Sequence, residues 1–186
     1  MKSSRLFVVE GIVIKRRNSG EANRMLTVFT KKFGKVRLLA RGVRKISSKR
    51  GPHIEIFTHI IATVHKSQSQ DTLTEVSPVA SYEKIRSDLQ RVGAAYYLCE
   101  LIDGLLPIEQ PHEDVFFLLT EAFAALSKVN SDRIEVLRAR FAAALLTKLG
   151  YMEAGKTYKD NDIDAYVEEL LERKLKTVKL ASRLNI

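Results

Sequence analysis

Residues 10–50 read EGIVIKRRNSGEANRMLTVFTKKFGKVRLLARGVRKISSKR. This stretch sets short apolar, β-branched pieces between clusters of Lys and Arg, with Glu10 and Glu21 as its only acids. A strand with one wet face alternates with a period of two. That rule predicts strands over Phe7 to Lys15, Met25 to Thr30 and Val36 to Val43, with Gly34 of KKFGK suited to the hairpin turn between the last two. Further on, His53 to Val64 alternates. Ile54, Ile56, Ile60, Ala62 and Val64 fall on one face, and His53, Glu55, His59 and His65 on the other, expected to be solvated. Leu73 to Ala80 is a weaker strand interrupted by Pro78. Five short strands in the first eighty residues, with turn signals between them, predict a small five-stranded barrel of the OB type.

From about Tyr82 the apolar period becomes helical. Ser87 is a plausible N-cap for a helix to about Leu106, where Pro107 stops it. A second helix is expected from Glu113 to Val129, and a third, capped by Ser131 or Asp132, ends at Gly150. Residues 151–161 are polar and loop-like, and Asp162 caps a fourth helix through about Lys174. The expected class is α+β, with an OB-fold domain over 1–81 and an α-helical domain over 82–186.

The charge follows the same division. The chain of 186 residues carries a net +9. Residues 1–80 hold 16 Lys and Arg against 5 Asp and Glu, a net +11, and residues 81–186 hold 15 against 17, a net −2. A cationic half beside a near-neutral one points to a polyanionic partner for the first half. Cys99 is the sole cysteine, which excludes an internal disulfide and a cysteine-based zinc site and suits a reducing cytosol. The opening MKSSRLFVVEG has no long apolar run of the kind an export peptide needs, and no run is long enough for a membrane span. A cytoplasmic protein is expected.

No compact acid–base cluster or nucleophile elbow is visible, so no catalytic residue and no cofactor is expected. Gly150-Tyr-Met-Glu-Ala-Gly155-Lys156-Thr157 fits the P-loop expression letter by letter, but a P-loop needs a strand before it and a helix after it. Arg138 to Leu149 reads as helix and Tyr158 to Asp162 as a turn, so the match is rejected. His53, His59 and His65 lie six residues apart, about 20 Å in a strand, too far for one metal ion.

The basic residues form a different kind of constellation. Lys15, Arg16 and Arg17 end the first strand, and Arg24 follows the NSGEAN turn. Lys31, Lys32 and Lys35 mark the hairpin tip, and Arg37 and Arg41 alternate onto one face while Leu38 and Ala40 take the other. Arg44, Lys45, Lys49 and Arg50 fill the next loop. Such charges on a small barrel suit a groove that tracks a phosphate backbone. Phe29, Phe33 and Phe57 are candidate stacking platforms weighed against core packing, and Phe33, at the tip, is the best of them.

GEANR, FGK and ARGVRK in this order and spacing, then PHIEIFT and DTLTEVSPVASYEKIRSDL, resemble the N-terminal part of the RecO family of bacterial recombination mediators. AYYLCELIDGLLP, ALLTKLGY and VEELLERKLKTVKLASRL resemble its helical part. The resemblance implies an OB barrel followed by helices. It implies binding of single- and double-stranded DNA, annealing of complementary strands, contact with the acidic tail of single-stranded-DNA-binding protein, and cooperation with RecR in loading RecA, all at the bacterial nucleoid. It carries the DNA-contact role onto Arg16, Arg17, Arg24, Lys35, Arg37, Arg41, Arg44 and Lys45. Many relatives follow their LGY motif with a four-cysteine zinc module; here MEAGKTYKDND follows Gly150-Tyr151, so no metal is expected. Arg138, Arg140 and Lys148 are candidate contacts for the acidic tail. The alternative that composition permits is an OB-fold RNA-binding or ribosome-associated protein.

Overall fold

The computed structural model describes residues 6–153 and 160–179. Five strands, β1 (Leu6–Ser19), β2 (Asn23–Thr30), β3 (Gly34–Ala40), β4 (His59–His65) and β5 (Thr72–Ala80), close into a barrel in the order β1-β2-β3-β5-β4. β1 is long enough to serve two neighbours. Leu6 to Ile12 pairs with β4, and Gly11 to Ser19 pairs with β2. An irregularity between Val13 and Lys15 lets the strand bend from one neighbour toward the other. A short parallel pairing, Leu39 with Thr72 and Ala40 with Leu73, closes the ring.

Alternation decides which residues fill the barrel. Val9, Val13, Leu26, Val28, Val36, Leu38, Ile60, Ala62, Val64 and Leu73 all point inward and form one buried cluster. Each fully buried Val, Leu or Ile contributes about 1.5–3 kcal/mol relative to exposure. The β2–β3 hairpin turns over residues 31–33. Thr30 closes it, its Oγ1 donating to the Gly34 carbonyl (2.8 Å) and accepting from the Phe33 N–H (3.0 Å). Gly34 takes a φ of +64°, as the return residue of a short hairpin loop requires.

The sequence expectation fails over His53 to Thr58. Gly51–Ile54 is a 3-10 helix begun by Pro52, and Phe57 adopts a φ of +69°, so strand β4 starts only at His59. Within β4 the inward set Ile60, Ala62 and Val64 is as expected. His59 is not solvated: it is 9% exposed, its Nε2 lies 3.1 Å from Glu10 Oε1, and its ring meets Phe116 edge-on. Burial lowers its pKa, outweighing the upward pull of the Glu10 carboxylate.

The segment Pro107–Phe116 belongs to the same compact unit as the barrel, so a cut at residue 81 does not describe the unit fully. It covers one end of the outer face of β1-β2-β3. Lys35 bridges Ile108, the Glu109 N–H donates to the Lys35 carbonyl (3.0 Å), and Phe116 packs on Phe29 at 6.1 Å between ring centroids. Gly34 has no room for a side chain, because a Cβ there would overlap the Gln110 backbone, its carbonyl oxygen first.

The second unit comprises Tyr82–Leu106 and the chain from Phe117 on, and its described residues are mainly helical. It contains α1 (Glu83–Arg86), α2 (Leu89–Leu105), most of α3 (Glu113–Leu126), α4 (Ile134–Lys148) and α5 (Asp160–Leu170). Asp88, not Ser87, caps α2, its carboxylate accepting from the Arg91 N–H (3.1 Å). Neither Ser131 nor Asp132 caps α4; both lie in a 3-10 turn, Ser131–Arg133, that leads into it. α5 begins two residues before the expected Asp162. Tyr97, Leu98, Leu101, Phe123, Leu145 and Val167 are fully buried in this unit. Cys99 is buried with them, which pushes its thiol pKa up and leaves it unreactive. Among the described residues, no helix is long and apolar enough to cross a membrane.

Candidate nucleic-acid interface

The strand register sorts the basic residues into three places. Lys15, Thr27 and Arg37 are direct partners across β1, β2 and β3, and Arg17, Met25 and Leu39 form the next row. Direct partners share a face, and these rows lie on the outer face, beyond the end covered by Pro107–Phe116. Lys15, Arg17 and Arg37 are all exposed there. Arg41, one residue past β3, is exposed as well.

The second group sits at the barrel's mouth. Arg16 and Arg24 occupy inward-facing positions, paired with Leu26 and Ala40, but lie where the core ends. Both turn onto one carboxylate. Arg16 Nη1 is 2.5 Å from Glu55 Oε2, and Arg24 Nη1 is 2.9 Å from Glu55 Oε1. Beside them a cleft of about 390 Å³ opens, lined among others by Arg24, Arg44, Lys45, Ser48, Pro52 and Glu55.

The loop after β3 is held in place at this mouth. The Gly42 N–H donates to Asn23 Oδ1 (2.9 Å), and the Arg44 guanidinium donates to the Gly20 carbonyl (2.9 Å). Arg50 reaches three carbonyls, those of Arg41, Leu73 and Thr74, at 2.9–3.1 Å. Arg50 is therefore a clamp on the loop, while Lys45 and Lys49 project from it, exposed.

The third group is the hairpin tip. β2 spans about 23 Å over its eight residues, which sets the tip apart from the mouth, while the row of Lys15 and Arg37, opposite Thr27, lies mid-strand, about 10 Å from Thr30. Lys35 is 4% exposed beneath Pro107–Phe116 and is withdrawn from the set of phosphate contacts, since a buried ammonium cannot neutralise a phosphate outside. Phe33 is exposed but packs edge-on against Phe7 at 5.3 Å. Phe29 and Phe57 are core residues, 0% and 1% exposed, and offer no stacking surface.

In the helical unit the three candidate cations also diverge. Arg138 is spent on structure: it pairs with Glu135 (2.9 Å) and Asp164 (3.3 Å) and lies 4.5 Å over the Tyr97 ring. Tyr97 in turn donates to Asp164 at 2.5 Å, and its pKa is raised by burial first and by Asp164 second. Arg138 is thus not available to an incoming acidic tail. Arg140 and Lys148 are exposed. Gly150, with φ +78°, terminates helix α4, so the strand that a phosphate-binding loop needs is a helix. Residues 154–159, which include Gly155, Lys156 and Thr157 of that match, lie outside the described residues. Among the described residues no group of three or more His, Cys, Asp or Glu is placed to hold a metal ion.

Sequence reasoning missed Glu55. Alternation put it on a solvated strand face, whereas the 3-10 helix before it turns it toward Arg16 and Arg24. It also missed Ile46, fully exposed at the rim of the cleft.

Two family models match the sequence. Recombination protein O N terminal matches residues 1–82, and Recombination protein O C terminal matches residues 86–152. The chain belongs to the RecO family. Among similar proteins are the DNA repair protein RecO of Roseiflexus sp. (strain RS-1), 36% identical over 79% of this chain and 51% of the relative, and that of Symbiobacterium thermophilum, 36% identical over 78% and 57%. The DNA repair protein RecO of Desulfitobacterium hafniense (strain DCB-2) is 34% identical over 78% and 52%. The chain thus spans about half the length of the curated relatives it matches. The N-terminal model ends where β5 gives way to helices, so family membership covers the barrel and its cationic rows as well as α2 to α4.

Proposed function

We propose that this RecO-family chain is a non-enzymatic DNA-binding mediator of recombinational repair. In this reading it binds single- and double-stranded DNA, brings complementary strands together, and helps load RecA onto DNA coated with single-stranded-DNA-binding protein, with RecR as partner. The observation that carries it is the outer rows holding Lys15, Arg17 and Arg37 beside the mouth cluster of Arg16, Arg24, Arg44 and Lys45, on a closed five-stranded barrel.

The mechanism is electrostatic. Cations on two adjoining surfaces neutralise phosphates of two strands, release counterions, and reduce the repulsion that keeps complementary strands apart. Arg41, Lys49 and the rim residue Ile46 extend the surface, with Arg50 holding the loop that carries them. Phe33, in the hairpin turn beyond the far end of β2, lies too far away to serve the strand segment at the mouth. For the acidic tail, Arg140 and Lys148 are the exposed α4 candidates, and Arg138 is held by Tyr97 and Asp164. Work at the nucleoid in the cytoplasm follows from this role.

The test is strand annealing. Labelled complementary oligonucleotides mixed with the protein at low salt should pair faster than alone, and excess single-stranded DNA should compete better than structured RNA. No acceleration contradicts the mediator reading. Preference for RNA favours an OB-fold RNA-binding protein instead.

A further inference from the structure

We propose that Glu55 is a built-in stand-in for a DNA phosphate: its carboxylate holds Arg16 and Arg24 in the free protein, and a backbone phosphate of a bound single strand displaces it. This rests on the nucleic-acid reading of the barrel.

Carboxylate and phosphate oxygens satisfy a guanidinium in the same way. Here each carboxylate oxygen takes one arginine, from β1 on one side and from β2 on the other. The pair of cations is therefore already aimed at one two-oxygen anion. The site is also reachable. The side chains of Arg16, Arg24 and Glu55 are 33%, 21% and 32% exposed, so water screens the pairs and an outside anion can compete for them. Adjoining space exists in the cleft, where Arg44, Lys45 and Ser48 line the approach and Glu55 is the single acid among the lining residues.

The backbone around Glu55 is fixed, and its side chain reaches into the mouth, about one third exposed. The Phe57 N–H donates to the Val13 carbonyl (2.8 Å), the Val13 N–H donates to the Thr58 carbonyl (3.0 Å), and the Phe57 ring is buried. Glu55 can thus swing its carboxylate away without moving the barrel. The competition makes attachment reversible. A strand that delivers several phosphates at once overcomes the internal carboxylate, and as the strand leaves, Glu55 reoccupies the arginines.

The experiment measures binding of an oligothymidylate of about 20 nucleotides by fluorescence anisotropy across a salt series. Glu55→Gln should bind about fivefold tighter than the native chain at about 0.1 M salt, with a log–log salt slope steeper by about 0.7, the value for one more neutralised phosphate on a single strand. Glu21→Gln removes the same charge from the exposed β1–β2 turn and should change affinity less than about twofold. In an Arg16→Gln/Arg24→Gln background, Glu55→Gln should have no effect. A readout that needs no variant is the carboxyl-carbon resonance of Glu55 in the native chain, which should shift on saturation with DNA. An unmoved resonance, unchanged affinity of Glu55→Gln, or a gain that persists without the two arginines overturns the proposal while leaving DNA binding intact. A native chain that does not bind the oligonucleotide at all overturns the nucleic-acid reading and this one with it.

Discussion

Lys15 and Arg37 stand in one row across the outer face of the barrel, each directly opposite Thr27 of the strand between them. Two strand spacings separate them, about 9.6 Å, and Arg17 lies a further two residues along β1, about 6.6 Å. Three cations therefore share an open patch of a size set by strand geometry rather than by flexible loops. The covering segment Pro107–Phe116 stops short of it, burying Lys35 and Phe29 on the same face.

That segment is tested by glycine. Gly34→Ala introduces a Cβ at φ +64° against the Gln110 backbone, and should destabilise the protein by more than about 2 kcal/mol. Gly20→Ala shares the left-handed backbone, φ +63°, but meets open space, and should cost about 1 kcal/mol. Urea unfolding of the two variants should show the difference; equal losses would mean that Gln110 does not constrain Gly34.

The barrel unit should weaken in mild acid because of His59. Its folded pKa lies below the unfolded value of 6.5, owing to burial, so the unfolded chain binds the extra proton first. The stabilisation is full above pH 6.5 and is lost progressively as the pH falls from there through the folded value. His59→Gln, which keeps a donor for Glu10 but does not titrate, should flatten stability between about pH 7.5 and 5.5. An unchanged pH profile in that variant would contradict the assignment.

A separate acid transition belongs to the helical unit. Glu100 accepts from the N–H groups of Lys176 and Thr177 (both 3.0 Å), from Thr177 Oγ1 and from Arg173. Burial raises its pKa, but these bonds, led by the one from Arg173, outweigh it and leave the pKa below the usual 4.5. Its contribution is present above the unfolded value of 4.5 and lost as the pH falls through the lower folded value. Glu100→Gln should reduce stability at neutral pH and remove that portion of the acid loss, as read from denaturation midpoints at a series of pH values.

Arg138 and Arg140 separate structure from recruitment. Arg138→Ala removes the cation over Tyr97 and the partner of Asp164, and should cost about 1–3 kcal/mol in urea unfolding. Arg140→Ala, on an exposed position, should stay within about 0.5 kcal/mol. If the two lose the same stability, the Tyr97–Asp164 network is not what holds Arg138.

The barrel was legible because β2, β3 and β4 each have one face toward the core, so Leu26, Val28, Val36, Leu38, Ile60 and Ala62 recur at every second position, with Thr27 and Arg37 facing outward between them. The segment His53 to Thr58 imitates that alternation, but Pro52 and the left-handed Phe57 turn it into a 3-10 helix and a bend. Lys35 looks like any surface lysine in sequence, and its burial depends on Ile108, far along the chain. Likewise Arg138 shows its neighbour Glu135 at helical spacing, but not Tyr97 or Asp164 on other helices. The cationic residues themselves were all visible. What sequence could not supply was their grouping: one set at the mouth by the start of β2, one on the outer face along its middle and one at the hairpin tip, with Glu55 between Arg16 and Arg24.

The most direct test of that grouping is the salt dependence of single-stranded DNA affinity after charge reversal. Arg17→Glu/Arg37→Glu should weaken binding by more than about tenfold at about 0.1 M salt and flatten the log–log slope by about 1.4, the value for two fewer neutralised phosphates. Lys32→Glu, at the hairpin tip, should cost less than about threefold under the same conditions. Affinity and slope unchanged in the double variant, or a larger loss from Lys32→Glu, would contradict the placement of the interface on the outer row and the barrel mouth.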